Sequence, residues 1–348
     1  MSLSVPRFCT ASLILLWAGF FMVMVPMRGI SHSEEPAFHD NFYDVAVRGD
    51  FAWIAGYYGT ILASTDRGLT WQLERSETTE ALFRVNFVNQ KEGWITGSYG
   101  TILHTDNSGK SWRRQKSPVE ENLFGLDFVN NRVGWVVGSR GTILFTLDGG
   151  VTWANRSLDE DVILNDIRFV DARRGWIVGE FGRIYHTRDG GRSWHKQKSP
   201  IEVPFISGSS RNLFRLLFAN ARRGWAFGLD GVILRTVDGE NWDVVRSEDT
   251  SVTPLKSNHL FAAADLGGKV WAVGERGAVL VSTLGNAWSL ADLEAPPRTL
   301  NSIAAGTKHF GLIVGNRGII LRTEDGGKQW KRIAIVPGSG GSEVKPPR

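Results

Sequence analysis

The chain has 348 residues, and its 40 lysines and arginines stand against 36 aspartates and glutamates, giving a formal net charge of only +4. Because the charges are nearly balanced and no nucleic-acid-binding motif is present, nucleic acid is excluded as an expected partner. The single cysteine, Cys9, lies in an apolar N-terminal stretch, so the rest of the chain offers neither a disulfide nor a thiol nucleophile.

The N-terminal part of the chain has the features of an export signal. Residues 8–27 form an apolar run with an arginine on each side, and no acidic residue precedes Glu34. The run fits a cleaved signal peptide, but it is also about long enough to cross a bilayer as an uncleaved anchor. We therefore expect residues 1–31 to be a signal peptide or a membrane anchor, residues 32–41 to be a linker, and the remainder to lie outside the cytoplasm.

From residue 42 onward, a unit of about forty residues recurs seven times. Each unit opens with a short apolar run, continues through Trp-x-x-Gly-x-x-Gly and a Thr-Ile-Leu-like segment, and closes on Asp-x-Gly-x-Thr/Ser-Trp. A repeat of this length is typical of a propeller or a solenoid. The later units are longer, which indicates insertions and not lost repeats. The closing tryptophans are Trp71, Trp112, Trp153, Trp194, Trp242, Trp288 and Trp330.

The second unit shows how one repeat predicts one blade. Leu82 to Val88 reads as a strand in which Phe83, Val85 and Phe87 alternate with polar residues. Three further short strands follow, at 93–97, 101–104 and 112–115. Four strands joined by short turns make a propeller blade, so the sequence predicts an all-β, seven-bladed β-propeller of four-stranded antiparallel blades over residues 42–336.

The same frame makes predictions about ring closure and about the tryptophans. The first unit begins with an inner strand and the last ends with an outer one, so the first blade should pack directly on the last without a shared blade. Thirteen of the fourteen tryptophans occupy one of two fixed places in the unit. We expect them to fill the gaps between blades, with their N–H groups on backbone carbonyls. Residues 337–348, rich in Gly, Ser and Pro, are expected to be disordered.

The closing motif is the Asp-box of the bacterial neuraminidase repeat, and Ser64–Trp71 matches it at every defined position. An aspartate in such a box can accept N–H groups from its own tight turn, while the glycine permits a positive φ. The box residues are therefore expected to be structural. They are Asp66, Asp148, Asp189 and Asp325.

An enzymatic interpretation has little support in the sequence. Sialidases carry Asp-boxes, but away from the active site, and the Arg-Ile-Pro segment of a sialidase does not occur here. No pair of carboxylates can be singled out as a glycosidase site, and no metal-ligand or cofactor-binding spacing is present. We therefore expect no enzyme activity, no catalytic residue, no cofactor and no metal. An exported carbohydrate-active, sialidase-like or other ligand-binding propeller is the alternative.

The units that combine Gly-Trp-x-x-Gly-x-x-Gly with an Asp-box resemble a known family. Gly93 to Trp112, Gly134 to Trp153 and Gly175 to Trp194 look like repeats of the photosystem II stability and assembly factors. The resemblance covers residues 42–335. It implies a non-enzymatic propeller, monomeric and exported to a thylakoid lumen or a periplasm, that binds a polypeptide client such as a membrane-protein subunit during assembly. If residues 8–27 stay uncleaved, they would associate it with the membrane.

Variation between the repeats indicates where binding should occur. The turns between second and third strands share one face of a propeller with the links between blades, and arginine recurs at one turn position in three blades. The assembly-factor family has an arginine patch, which we map to these turns; solvated turn arginines are the alternative. An insertion at 199–212 on the same face carries an apolar tip. The candidate partner-binding residues are Arg140, Arg276, Arg317, Tyr58, Tyr99, Phe181 and Phe205.

The innermost strands add a mixed set of charges. In these strands Arg84, Asp127, Asp166, Arg168 and Arg215 alternate with apolar residues. We expect them to approach the central channel and to neutralise one another there.

Overall fold

Seven four-stranded antiparallel sheets make up the part of the chain that the structure, a computed structural model, describes. The described residues are 40–202, 211–245, 258–283, 285–291, 293 and 297–335. The predicted seven-bladed β-propeller is thereby confirmed. Residues 1–31 and the tail 337–348 lie outside the described residues. Within the described ranges, no helix has the length and apolar character needed to cross a membrane.

Each blade uses four consecutive strands, ordered along the sheet as they are along the chain. The first strands of neighbouring blades contact one another, so they are the inner strands. The inner strands are β1 (Phe42–Arg48), β5 (Leu82–Phe87), β9 (Leu123–Phe128), β13 (Leu164–Phe169), β17 (Leu213–Phe218), β21 (Leu260–Leu266) and β25 (Leu300–Ala305). The second strands are β2 (Phe51–Gly56), β6 (Gly93–Gly97), β10 (Gly134–Gly138), β14 (Gly175–Gly179), β18 (Gly224–Gly228), β22 (Lys269–Gly274) and β26 (Gly311–Gly315).

The two outer positions are shorter than the two inner ones. The third strands are β3 (Ile61–Ser64), β7 (Ile102–Thr105), β11 (Ile143–Thr146), β15 (Ile184–Thr187), β19 (Ile233–Thr236), β23 (Val279–Ser282) and β27 (Ile320–Thr323). The outermost strands are β4 (Gln72–Glu74), β8 (Arg113–Arg114), β12 (Ala154–Asn155), β16 (His195–Gln197), β20 (Asp243–Val244), β24 (Ser289–Leu290) and β28 (Lys331–Arg332). Blades 1 to 7 below are these groups of four strands in chain order.

A β-bulge at the second residue of every inner strand changes which side chains face the axis. In β5 the register shifts between Leu82 and Arg84, so Phe83 is the extra residue. Val85 and Phe87 are buried between blades, but Phe83 is half-buried and contacts aromatic rings of neighbouring inner strands. The prediction that Phe83 shares a face with Val85 and Phe87 is therefore wrong, because the bulge interrupts the alternation.

The tryptophans join successive blades as predicted. Trp53 of blade 1 donates its Nε1–H to the carbonyl of Ser108 in blade 2, at 2.8 Å, and its ring stacks on Phe87 with centroids 3.5 Å apart. Phe87 in turn meets the closing Trp112 of its own blade edge to face, at 5.8 Å. The same N–H bond to the next blade recurs at Trp94, Trp135, Trp176 and Trp225.

The ring closes by direct packing of blade 1 on blade 7. Val45 and Val47 of β1 share a buried cluster with Leu312 and Val314 of β26. The side chain of Asn301 also donates to the carbonyl of Phe42, at 2.7 Å. Leu312 occupies the place that tryptophan holds in the other six second strands. No strand that the structure describes is shared between the two blades, which agrees with the predicted closure.

Backbone hydrogen bonds separate the two faces of the ring. On one face, the Asp-box turn of each blade bonds to the turn between its first and second strands, as in Ser108 N to Lys91 O at 2.9 Å. On the other, the turn between the second and third strands bonds to the link leading to the next blade, as in Gly100 N to Glu121 O at 2.8 Å. We call these surfaces the Asp-box face and the link face.

Candidate functional site

The link face carries seven equivalent hairpin turns with an unusual backbone. In each turn a non-glycine residue with φ between 50° and 58° is followed by a glycine that also has positive φ. In blade 2 these residues are Tyr99 and Gly100, and Thr101 N closes the turn on Ser98 O at 3.0 Å. Two successive positive φ values define a type I′ turn, which favours Asn-Gly or Asp-Gly. Around the ring the seven residues are Tyr58, Tyr99, Arg140, Phe181, Asp230, Arg276 and Arg317.

Most of these turn side chains are exposed. Tyr58 and Tyr99 are 56% and 68% exposed, and the side chains of Arg140 and Arg276 are 75% and 73% exposed. Arg317 is exposed and Phe181 is partly buried. Phe205 lies outside the described residues. The candidate residues other than Phe205 are therefore on one face, where they can contact a partner.

The three turn arginines do not occupy consecutive blades. Arg276 and Arg317 belong to the neighbouring blades 6 and 7, but Tyr58 and Tyr99 of blades 1 and 2 separate them from Arg140 of blade 3. The structure thus arranges five consecutive blades as Arg, Arg, Tyr, Tyr and Arg. We call these five residues the link-face arc.

The arginines of the link-face arc form only weak ion pairs within the protein. Arg140 Nη1 lies 3.9 Å from Glu121 Oε1, and Arg276 Nε lies 4.0 Å from Glu275 Oε1. For Arg317, no ion pair is found within the described ranges. Exposed pairs at such distances contribute little. The guanidinium groups can therefore exchange these contacts for carboxylates or carbonyls of a partner.

At the centre of the link face lies a ring of aromatic side chains that sequence reasoning missed. The bulged second residue of the inner strand is aromatic in five blades, and each ring is partly exposed. Centroids are 5.9 Å apart between Tyr43 and Phe83, and 5.1 Å between Phe83 and Phe124. Phe214 and Phe261 make a similar contact at 5.3 Å. Aligning the seven inner strands by position would have revealed this ring.

Below the aromatic ring, a buried layer of charges closes the channel. Arg84 Nη2 lies 3.1 Å from Asp166 Oδ1, and its Nη1 lies 3.7 Å from Asp44 Oδ1. Arg215 donates to Asp44 at 2.9 Å and to Ser302 at 3.3 Å. All five side chains are less than 10% exposed. The expected neutralisation of charge is present, and Asp44 and Ser302 are two members that the sequence analysis did not include.

Three aspartates of this region also hold the inner strands together. Each accepts the backbone N–H of a residue in the inner strand of the next blade, and each is paired with an arginine. Burial raises the pKa of Asp127 and of Asp166, although arginines close by oppose that shift. These carboxylates are therefore structural elements of the channel wall. The bonds are Val85 N to Asp44 at 3.0 Å, Phe169 N to Asp127 at 2.7 Å and Leu216 N to Asp166 at 2.8 Å.

The Asp-box aspartates lie on the opposite face, each within its own turn. Asp66 accepts the N–H and the hydroxyl of Thr70, at 2.9 and 2.6 Å. Asp189 makes the same two bonds with Ser193. Asp148 and Asp325 accept equivalent backbone N–H groups from Thr152 and Gln329. Within the described part of the chain, no group of three or more His, Asp or Glu side chains is arranged to hold a metal ion.

Fold and repeat geometry together define the class as an Asp-box β-propeller. The chain belongs to the photosynthesis system II assembly factor YCF48 family, whose model matches residues 32–117, 111–207 and 164–237, together more than half of the chain. No curated protein sequence matches it.

Solved structures give the same fold at low identity. A YCF48 bound to D1 peptide is 22% identical, with a TM-score of 0.65, over 83% of this chain and 93% of that one. YCF48 from Cyanidioschyzon merolae is 18% identical, with a TM-score of 0.65, over 83% and 96%. A GH74 xyloglucanase from Xanthomonas campestris is 14% identical, with a TM-score of 0.65, over 85% of this chain and 55% of that one. Enzymes and non-enzymes share this architecture, so the likeness shows the fold alone.

Proposed function

We propose that the protein is a non-enzymatic, extracytoplasmic propeller that binds a polypeptide client on its link face, with a membrane-protein subunit undergoing assembly as the expected client. The observation that carries the proposal is the partly exposed aromatic ring surrounded by the link-face arc. Membership of the YCF48 family supports it, as does the peptide bound to the relative described above.

The chemistry of the link face suits an extended chain. Tyrosines provide rigid contact area with a polar tip, and arginines bind backbone carbonyls or carboxylates with a planar fork. Tyr57 packs edge-on against Tyr58, at 4.8 Å, which enlarges the aromatic surface in blade 1. Rigid turns then hold these side chains in place, so little conformational entropy is lost on binding.

The central carboxylates argue against a glycosidase in the channel. Glycoside hydrolysis requires a carboxylate pair that faces the substrate. Asp44, Asp127 and Asp166 each accept a backbone N–H and pair with an arginine, so all three are committed within the fold. The carbohydrate-active alternative is therefore the weaker one.

The location and the oligomeric state are parts of the same proposal. The apolar residues 8–27 support export to a periplasm or lumen, and they would tether the propeller to the membrane if they are not removed. We propose a monomer, because the seven blades close on themselves and need no second copy to complete the ring.

The test compares two triple variants in a tagged pull-down from solubilised membranes. One is Arg140→Ala with Arg276→Ala and Arg317→Ala on the link face. The matched control replaces Arg132, Arg173 and Arg222 of the Asp-box face with alanine. We expect the link-face variant to lose partners that the wild type and the control both retain. Equal recovery of every partner by all three proteins would contradict the proposed surface.

A further inference from the structure

The central channel contains a second, separate cavity that opens on the Asp-box face. It has a volume of about 660 Å³, within the usual range for small-molecule sites. The buried charged layer that includes Asp44 and Arg215 forms its floor, so it does not connect with the aromatic ring on the link face. Whatever binds here is therefore independent of the client proposed above.

The wall of this cavity is apolar on one side and polar on the other. The fifth residue of the inner strand is alanine in blades 1, 6 and 7, namely Ala46, Ala264 and Ala304. At the same position blades 2 and 4 carry Asn86 and Arg168. The small alanine side chains widen the channel, and the polar residues lie across the axis from them. A ligand with an apolar body and one polar end matches this division.

The polar side of the cavity contains groups whose hydrogen-bonding capacity is unused. Asn86 is only 9% exposed, yet its Oδ1 has no hydrogen-bond partner among the described residues. The Nε of Arg215, which is 4% exposed, is likewise unpaired within the described part of the chain. Buried polar atoms are rarely left unpaired without a reason. Both residues line the cavity, where a ligand can reach them.

Arg48, at the end of β1, is the cationic group without a carboxylate. The contact recorded for its guanidinium is a 2.9 Å bond from Nη1 to the neighbouring carbonyl of Val47. Burial, and then the charge of Arg168, lower the pKa of Arg48, so a bound anion would favour its charged form. Arg168 itself is paired with Asp127, at 3.2 Å.

The acidic groups of the lining are already engaged. Asp44 is bound by Arg215, by Ser302 and by the N–H of Val85. Asp265 accepts the N–H of Gly268, at 3.1 Å. Arg48 is therefore left as an uncompensated positive charge at the mouth of the cavity.

From this geometry we propose that the Asp-box-face cavity binds a small organic carboxylate, whose apolar body lies on the alanine wall and whose carboxylate is held by Arg48. Asn86 accepts a hydrogen bond from a donor group on the ligand. A guanidinium–carboxylate contact supplies specificity for the charge, and the alanine wall selects against small inorganic anions.

Benzoate, benzyl alcohol and inorganic phosphate are suitable probes for a titration of the full chain, labelled with ¹³C at the alanine methyl groups. We expect benzoate to shift the Ala264 and Ala304 methyl signals saturably, with a Kd of about 1 mM. Arg48→Gln should weaken benzoate binding at least about tenfold, because it removes the charge-assisted bond. Arg173→Gln, on the same face but outside the cavity, should leave it unchanged.

Three results would overturn the proposal. The first is no saturable shift of these methyl signals at about 10 mM benzoate, ten times the expected Kd. The second is equal binding of benzyl alcohol, or of phosphate, which would remove the role of the charge or of the alanine wall. The third is an equal loss in the Arg48→Gln and Arg173→Gln variants, which would indicate a general surface effect. A link-face client would remain testable in each case.

Discussion

At the residue scale, Asp148 shows how an Asp-box stabilises the fold. Thr152 donates its N–H and its hydroxyl to this side chain, at 2.9 and 2.6 Å. The hydroxyl of Thr152, followed by its N–H, lowers the pKa of Asp148 from 3.8 to about 2. A carboxyl group whose pKa is lower in the folded state stabilises the fold above its unfolded pKa, and this contribution is lost as the pH falls through the folded pKa.

We predict that Asp148→Ala lowers the free energy of unfolding by about 1 kcal/mol at neutral pH, since the site is exposed. Asp148→Asn should cost less, because Asn107 already forms the equivalent turn in blade 2, accepting Ser111 N at 3.1 Å and donating to Ser111 Oγ at 2.8 Å. Urea unfolding measured from pH 5 down to about pH 2 is the check. The difference between the wild type and Asp148→Asn should shrink below about pH 4; a difference that stays constant would contradict the charge argument.

Trp94 tests the contact between blades 2 and 3. Its Nε1–H donates to Gly149 O at 2.9 Å, and its ring stacks on Phe128 with centroids 3.7 Å apart. We expect Trp94→Leu to destabilise the protein by about 2 to 4 kcal/mol, through the lost ring area and the resulting cavity. Trp94→Phe keeps most of the stacking and should cost about 1 kcal/mol, because Gln115 also donates to Gly149 O. Chemical unfolding of both variants measures the difference, and equal losses would contradict a role for stacking.

Residue identities predicted the blades well because packing between blades repeats at fixed positions. The place of Trp53, Trp94 and their equivalents follows from the period alone. The aromatic ring of Tyr43, Phe83 and Phe124 did not follow from it, because a bulge reverses the side-chain alternation and a bulge leaves no mark in the hydrophobic pattern. The ring also requires side chains from blades far apart in the sequence to meet at one axis, which only the closed fold specifies.

At the element scale, the link-face turns combine a demanding backbone with unsuitable residues. A left-handed conformation is costly for most residues, yet six of the seven turns place tyrosine, phenylalanine or arginine there. Asp230 is the one residue that a type I′ turn favours. Unfavourable backbone geometry that recurs on one surface is consistent with side chains retained for binding.

Replacing Tyr99 should therefore separate stability from binding. We predict that Tyr99→Asn raises the free energy of unfolding by about 0.5 to 1 kcal/mol, since it creates the preferred sequence before Gly100. The same variant should recover less client. Asp230→Tyr is the reciprocal control and should lower stability by a similar amount. Thermal and urea unfolding measure both changes, and a destabilised Tyr99→Asn variant would contradict this explanation.

At the scale of the whole molecule, Asp44 connects blades that are distant in the sequence. Lying in blade 1, it contacts Arg84 of blade 2, Arg215 of blade 5 and Ser302 of blade 7. We expect Asp44→Asn to cost about 3 to 5 kcal/mol, because it leaves buried arginines without a partner. Asp50→Asn is the control: Asp50 pairs with Arg67 at the surface, so its loss should cost at most about 1 kcal/mol. Similar losses in the two variants would show that the central layer does not unite the ring.

The closed ring could be predicted as a whole, but its two ends could not. Seven complete repeats require seven blades and a direct closure, which follows from counting strands. The layered channel, with aromatic side chains at the link face, charges in the middle and a cavity at the Asp-box face, depends on how unlike residues from seven inner strands combine. The repeat makes these positions equivalent, so function has to be read from the differences between blades.

The central claim is that the link face, and not the Asp-box face, contacts a polypeptide client. Site-specific photo-crosslinking in living cells tests it most directly, with a benzophenone amino acid placed at Tyr99, or at Val151, an exposed apolar residue of the Asp-box face. The account predicts a discrete crosslinked polypeptide from position 99 that is absent from position 151. A discrete product from position 151 alone, or none from position 99, would contradict it.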